Sequence, residues 1–240
     1  MPRQVKTLHG NFWGWSGDHL TNVLETGQFW DEQIRESIDS SNQAGTALDL
    51  GASIGWFTLY MARRFDRVLA VEAHPETYSL LVRNLEENHV NPTLVHTLWG
   101  AAFDRPTTLR LVTDATFGFV VPAEGLDNTP NASAVVFTAE GEGVEVPAFP
   151  LDPWVTTQQR AGWPRVTCIK VDCQGCDLRA IRGLRATIAR DRPVVIFEFE
   201  GAASRAHGDT LQDYYDFFDG LGYEVFRIRE DLWDFVARPT

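Results

Sequence analysis

The stretch Thr46-Ala-Leu-Asp-Leu-Gly-Ala-Ser-Ile-Gly-Trp-Phe57 constrains the fold of this chain more than any other. Thr46 to Leu50 is an apolar run broken only by Asp49, the pattern of a parallel strand buried on both faces. Gly51 and Gly55 bracket a turn. From Ile54 the period changes, and Ile54, Phe57, Met61 and Phe65 share one face of a helix. Strand, glycine turn and helix in that order make half of a βαβ nucleotide-binding unit. The glycines let the backbone approach a ligand, and the helix start offers it unpaired N–H groups.

The details of the turn narrow the ligand. A pyrophosphate is seated by Gly-x-Gly-x-x-Gly, but here Ser53 stands two residues after Gly51, and Asp49 would repel a phosphate. An acid beside a glycine turn suits a ligand with a cationic end, such as the amino-acid part of S-adenosylmethionine. The alternative is an ordinary tight strand-to-helix turn. A second buried strand, Arg67 to Glu72, ends in an acid about 21 positions after Gly51, the spacing at which a carboxylate meets ribose hydroxyls. A third strand, Thr93 to Leu98, leads into Trp99-Gly100-Ala101-Ala102, where an adenine edge would lie in a doubly wound sheet. The expected donor-side residues are therefore Asp49, Gly51, Ala52, Ser53, Gly55, Glu72, Ala73, Trp99 and Gly100.

Beyond residue 105 the pattern alternates. Thr107 to Val112, Phe117 to Val121, Ser133 to Thr138 and Gly143 to Ala148 read as antiparallel strands inserted into the α/β frame. Val166 to Asp172 is again a buried strand ending in an acid and breaking at Gly175, and Leu178, Ile181 and Leu184 belong to the helix after it. In an open parallel sheet ligands sit outside the carboxyl ends of the strands, so Asp49, Glu72 and Asp172 should gather at one place. Pro193 to Glu198 is a fifth such strand. It is followed by a loop, Gly201 to Gly208, holding His207, then a helix from Leu211 to Leu221 and a closing hairpin of Gly222–Ile228 and Leu232–Val236. At the other end, residues 8–33 are rich in aromatics and glycine. His19 to Leu24 reads as a short helix capped by Asp18, and Phe29 to Ile38 as a second. This segment is either a strap on the sheet or a lid that brings Trp30 and Asp31 to the ligand.

The formal charge of −12, from 21 basic and 33 acidic residues, leaves no basic stripe for nucleic acid and suits a neutral or cationic small substrate. No run approaches a membrane span, and the first residues lack the apolar core of a signal peptide. Cys168, Cys173 and Cys176 cannot make a disulfide framework, so a reducing, cytoplasmic setting is expected. Zinc would need a fourth ligand that the Cys173-x-x-Cys176 spacing does not supply, and no metal site is expected.

With these residues in place the chain resembles the FkbM family of S-adenosylmethionine-dependent methyltransferases. Leu48-Asp-Leu-Gly-Ala-Ser-Ile-Gly55 is similar to the family's donor loop and Val71-Glu72 to its ribose acid. Leu151-Asp152 followed by Ile169-Lys-Val-Asp-Cys-Gln-Gly-Cys-Asp177 resembles its most distinctive signature, and Phe197-Glu198 and Leu221-Gly-Tyr223 also fit. The chain departs from the pattern at Gln174, where Glu is usual, at Asp177, where Glu is usual, and at Ser53, where Asn is commoner. The resemblance implies a Rossmann-like class I methyltransferase fold of the α/β class. That fold has a mostly parallel seven-stranded sheet, here with a C-terminal antiparallel hairpin and an inserted β-hairpin region at about residues 105–150. At 240 residues the chain is expected to be one domain over 1–240, with residues 1–40 as lid or strap and 41–240 as core. The implied cofactor is S-adenosylmethionine, and the implied reaction is methylation of a hydroxyl on a small natural product or glycan.

Such a transfer is an in-line displacement in which positioning supplies much of the rate, and a hydroxyl acceptor also needs a base. Asp177, Glu198, His207 and His19 are the candidates. Asp172, His207 and Asp177 are taken as the catalytic set, and Asp172, Trp30 and Asp31 join the donor site. Two other readings stay open: an NAD-dependent oxidoreductase on a Rossmann sheet, and a methyltransferase-like fold that only binds a partner.

Overall fold

The computed structural model of the chain describes residues 1–7, 9–111, 144–229 and 233–240. The described elements begin with β1 (Pro2–Thr7), β2 (Gly10–Trp15), α1 (His19–Glu25), α2 (Glu32–Asp39), β3 (Thr46–Leu50), α3 (Trp56–Ala62), β4 (Arg67–Glu72), α4 (Pro75–Glu87) and β5 (Val95–Trp99). Then come β6 (Ala101–Ala102), β7 (Thr107–Leu111), β8 (Val144–Phe149), α5 (Asp152–Arg160), β9 (Val166–Val171), α6 (Asp177–Arg182) and α7 (Arg185–Asp191). The chain continues with β10 (Val194–Glu198), α8 (Gly201–Ala206), α9 (Leu211–Asp219), β11 (Tyr223–Arg227) and β12 (Asp234–Pro239). No helix among the described residues is long and apolar enough to cross a membrane.

Seven strands form the central sheet in the order β11-β12-β10-β9-β3-β4-β5. The five from β10 to β5 run parallel, and the β11–β12 hairpin is added antiparallel to β10 at one edge. Helices cover both faces, so the inner strands have no solvent side and read as nearly continuous apolar runs. The period of two still sorts their residues. Ala47, Val68, Ala70, Cys168 and Ile196 face one core with α2, α3 and α4. Leu48, Leu69, Val71, Ile169, Val195 and Phe197 face the other with α5, α6, α7 and α9.

A hairpin of β1 and β2, with Val5 opposite Phe12, occupies the N-terminus, where an aromatic strap or lid was expected and no strands. It is fastened to α4 by two asparagines. Asn84 Oδ1 accepts from the Trp13 N–H at 2.6 Å, while Asn84 Nδ2 donates to the carbonyls of Trp13 at 3.0 Å and Ile54 at 2.7 Å. Asn88 repeats the exchange with the backbone of Asn11. Phe12 is 1% exposed, and its burial stabilises the fold by roughly 1.5–3 kcal/mol.

α1 is capped as expected, the Asp18 carboxylate accepting from the Thr21 N–H at 2.9 Å. The second helix begins only at Glu32, because Asp31 has φ +50 and the helix cannot extend back through it. Phe29 instead packs on Trp56, with ring centroids 4.9 Å apart. Of the expected inserted strands, β7 and β8 pair antiparallel, from Thr107 opposite Ala148 to Leu111 opposite Val144. The expected strands 117–121 and 133–138 lie outside the described residues. The expected loop 201–208 is largely helix α8, which places His207 at a helix C-terminus rather than on a loop.

Candidate functional site

A cleft of about 600 Å³ opens at the carboxyl ends of β4, β9 and β10 and beside the turn that follows β3. Its floor is the turn Gly51–Ile54, reached because Gly51 adopts φ +73. A Cβ at Gly51 would stand 1.9 Å from the Asp172 carbonyl oxygen, so the turn after β3 and the end of β9 are pressed together there. Glycine at this position is required by the neighbouring strand.

Glu72 lines the cleft at the end of β4. One carboxylate oxygen accepts from the Ser53 N–H and the other from the His74 N–H, each at 2.8 Å. Burial raises its pKa, and these two amide donors pull it back. Ala73, Gly100, Ala101 and Ala102 continue that wall with small apolar surfaces. Trp99, by contrast, is 42% exposed, donates its indole N–H to the Ala73 carbonyl at 3.0 Å, and is not part of the wall.

Asp49 sits beneath the cleft and does not line it. It is fully buried, accepts from Thr58 Oγ1 at 2.6 Å and lies 3.4 Å from Lys170 Nζ. Lys170, which stands in the signature with no role assigned to it, is its partner. Its side chain is 6% exposed, lines the cleft and also lies 3.5 Å from an Asp172 oxygen. Burial alone would lower its pKa, yet Asp49 and Asp172 hold the ammonium charged and its pKa above the ordinary value. Asp172 does face the cleft, with its side chain 40% exposed and accepting from Gln174 Nε2 at 2.9 Å.

Gly55 is the left-handed N-cap of α3 and stands behind the floor. Asp177 is buried under the 173–176 turn, which it holds by accepting from the Gly175 N–H at 3.2 Å and the Cys173 N–H at 3.4 Å. Burial, then repulsion from Asp172, pushes it up to about 7, but it does not line the cleft. His207 is also outside the wall, with Nε2 at 3.4 Å from Cys176 Sγ. Among the described residues no group of His, Cys, Asp or Glu is arranged to hold a metal ion.

The far wall comes from both ends of the chain. Trp15, His19, Trp30 and Asp31 border the cleft on one side, the Trp30 ring edge-on to His19 at 5.1 Å. Glu198, Glu200, Trp233 and Asp234 border it on the other. The Phe199 N–H donates to the Trp233 carbonyl at 2.9 Å, which draws the last three of these together. Burial pushes Asp31 up to about 6, with Asp172 adding to it. Burial and then Asp172 push Glu200 up to about 7, and burial with Asp31 and Asp172 does the same for Asp234. Glu198 is raised well above the usual range, first by burial and then by Asp172.

The sheet order, with a glycine turn after its central strand and an acid at the end of the next, is the class I methyltransferase fold. A Streptococcus mutans protein described as a methyltransferase and solved with S-adenosylhomocysteine shares it, at TM-score 0.50 and 8% identity, over 88% of this chain and 99% of that one. The model of the methyltransferase FkbM domain matches residues 49–225, and the chain belongs to that family. Methyltransferase 1 of Beauveria bassiana is 28% identical over 144 residues. That similarity covers 57% of this chain and 57% of the fungal protein. The FkbM methyltransferase of Methylobacillus flagellatus KT has a TM-score of 0.49 and 16% identity, over 82% of this chain and 44% of that one.

Proposed function

We propose that the chain is an S-adenosylmethionine-dependent methyltransferase that methylates a hydroxyl group on a small natural product or glycan. The observation that carries this reading is that Glu72 and Asp172, acids at the ends of two parallel strands, line one cleft with the turn Gly51–Ile54. The donor set fits the cofactor's chemistry. Glu72 keeps lone pairs for two ribose hydroxyls after accepting from Ser53 and His74. Ala101 and Ala102 offer apolar surface for adenine, Asp172 and Asp31 suit an ammonium, and the Trp30 indole suits a sulfonium. The same acids count against a dinucleotide pyrophosphate.

S-adenosylmethionine would supply a methyl group on a good leaving group. The protein's part is to align the acceptor oxygen and accept its proton. Of Asp172, Asp177 and His207, Asp172 faces the cleft, so the acid–base role falls to it. The three free cysteines agree with a reducing, cytoplasmic setting.

Calorimetry with S-adenosylhomocysteine and with NAD tests the reading. S-adenosylhomocysteine is expected to bind in the micromolar range, and Glu72→Ala to weaken it by roughly 1.5–3 kcal/mol, the scale of hydrogen bonds to a charged group. Unchanged affinity in a folded Glu72→Ala protein removes the ribose assignment, and binding of NAD alone replaces the methyltransferase reading with the oxidoreductase one.

A further inference from the structure

The acids at the end of the cleft away from Glu72 outnumber what donor binding uses. Asp31 and Asp172 suit the donor's ammonium, which leaves Glu198, Glu200 and Asp234 beside Trp233. The basic residue buried in this wall, Lys170, is already engaged by Asp49 and Asp172.

Glu200 shows what is missing. It is 4% exposed and lines the cleft, yet its Oε1 is buried without a hydrogen-bond partner among the described residues. Nor is it spent locally. It precedes α8 at the N-cap position, but its side chain makes no capping bond. A buried carboxylate oxygen with no donor is costly, and the cost is recovered when a donor arrives, most of all a charged one. A neutral hydroxyl would bring one hydrogen. An ammonium brings three and a positive charge that Glu198, Glu200 and Asp234 share, with Trp233 flanking it. The raised pKa values of these carboxyls have a related origin, burial first and then repulsion from neighbouring acids.

We propose that this end of the cleft, built by Glu198, Glu200, Trp233 and Asp234, binds a protonated amine of the acceptor. The substrate is then a hydroxyl compound that also carries an ammonium group, of the amino-alcohol or amino-sugar class. This rests on the methyltransferase reading and names the substrate class for it.

The test uses two matched pairs, tyramine with tyrosol and glucosamine with glucose, titrated at pH 8 into the full chain saturated with S-adenosylhomocysteine. In at least one pair the amine should bind tenfold or more tighter than its hydroxyl counterpart. Glu200→Gln, similar in shape but uncharged, should cut that preference at least threefold while S-adenosylhomocysteine affinity is retained. Equal binding within both pairs, no binding by either amine, or a preference untouched in Glu200→Gln and in a second variant, Asp234→Asn, overturns the proposal. Retained S-adenosylhomocysteine binding in those cases leaves the methyltransferase reading standing. Loss of it in the wild-type protein removes that reading instead.

Discussion

The Lys170 ammonium lies 3.4 Å from the Asp49 carboxylate at a place where the two side chains are 6% and 0% exposed. The strand-end acid of β3 is therefore spent on a lysine one strand away, on β9. Removing one member leaves an uncompensated buried charge, which typically costs 3–5 kcal/mol, whereas replacing both by neutral groups is often mild. Lys170→Met is expected to lower stability by about 3 kcal/mol or more in urea unfolding, and Lys170→Met with Asp49→Asn to restore most of it. A single variant as stable as wild type would show that the pair is not ionised in the folded protein.

Asp172 shares the same ammonium but faces the cleft. Asp172→Asn keeps the hydrogen-bonding shape and removes the charge. Donor affinity is expected to fall about tenfold, corresponding to ~1.4 kcal/mol, with some loss of kcat. Stability should change little, since Asp49 still neutralises the Lys170 ammonium and Asp172 itself is 40% exposed. Normal donor affinity together with normal kcat would make Asp172 a bystander.

Glu200 should make stability depend on pH in an uncommon direction. Its pKa lies at about 7 in the folded protein against an ordinary 4.5. Between those values the folded chain holds a proton that the unfolded chain has released. Its contribution is therefore fully present below pH 4.5 and is lost as pH rises through about 7. Glu200→Gln carries no such proton. Urea unfolding at pH 5, 6, 7 and 8 should show the variant gaining on wild type as pH rises. A constant difference between the two proteins would contradict the assignment.

Asn84 joins the N-terminal hairpin to the rest of the fold through three hydrogen bonds to backbone groups of Trp13 and Ile54. Asn84→Ala strands these groups. The expected loss is about 2–4 kcal/mol, read as a lower midpoint in urea. A loss below ~0.5 kcal/mol would mean that the hairpin is held by Asn88 and by the packing of Phe12.

The parts of the fold legible in the sequence are those where local pattern and tertiary environment agree. β3, β4, β9 and β10 are covered on both faces, so burial writes itself as nearly continuous apolar runs, and Glu72, Asp172 and Glu198 after three of them mark the cleft. The β1–β2 hairpin was not legible, because its partners Asn84 and Asn88 lie 71 and 77 residues from Trp13 and Asn11. Lys170 reads as an interruption inside a strand until Asp49 is placed beside it by the β3–β9 pairing. Asp234 reaches the site because β12 inserts next to β10, an order no local pattern states. Glu200 carried a faint signal, an acid two residues past a strand end, but the lack of a donor for its oxygen is a property of the assembled wall. Asp177, the last acid of the signature, and His207, expected on a loop after a strand end, are turned away from the cleft, one under a turn and one toward Cys176.

The contact between Gly51 and the Asp172 carbonyl bears on how relatives of this chain are to be judged. A side chain at residue 51 would collide with the neighbouring strand whether or not anything ever entered the cleft. Selection for folding alone would preserve that glycine in a descendant that had stopped binding any ligand. The glycine turn is thus a record of ancestry. Glu200 is the opposite case, for its buried and unpartnered oxygen gives folding nothing to preserve.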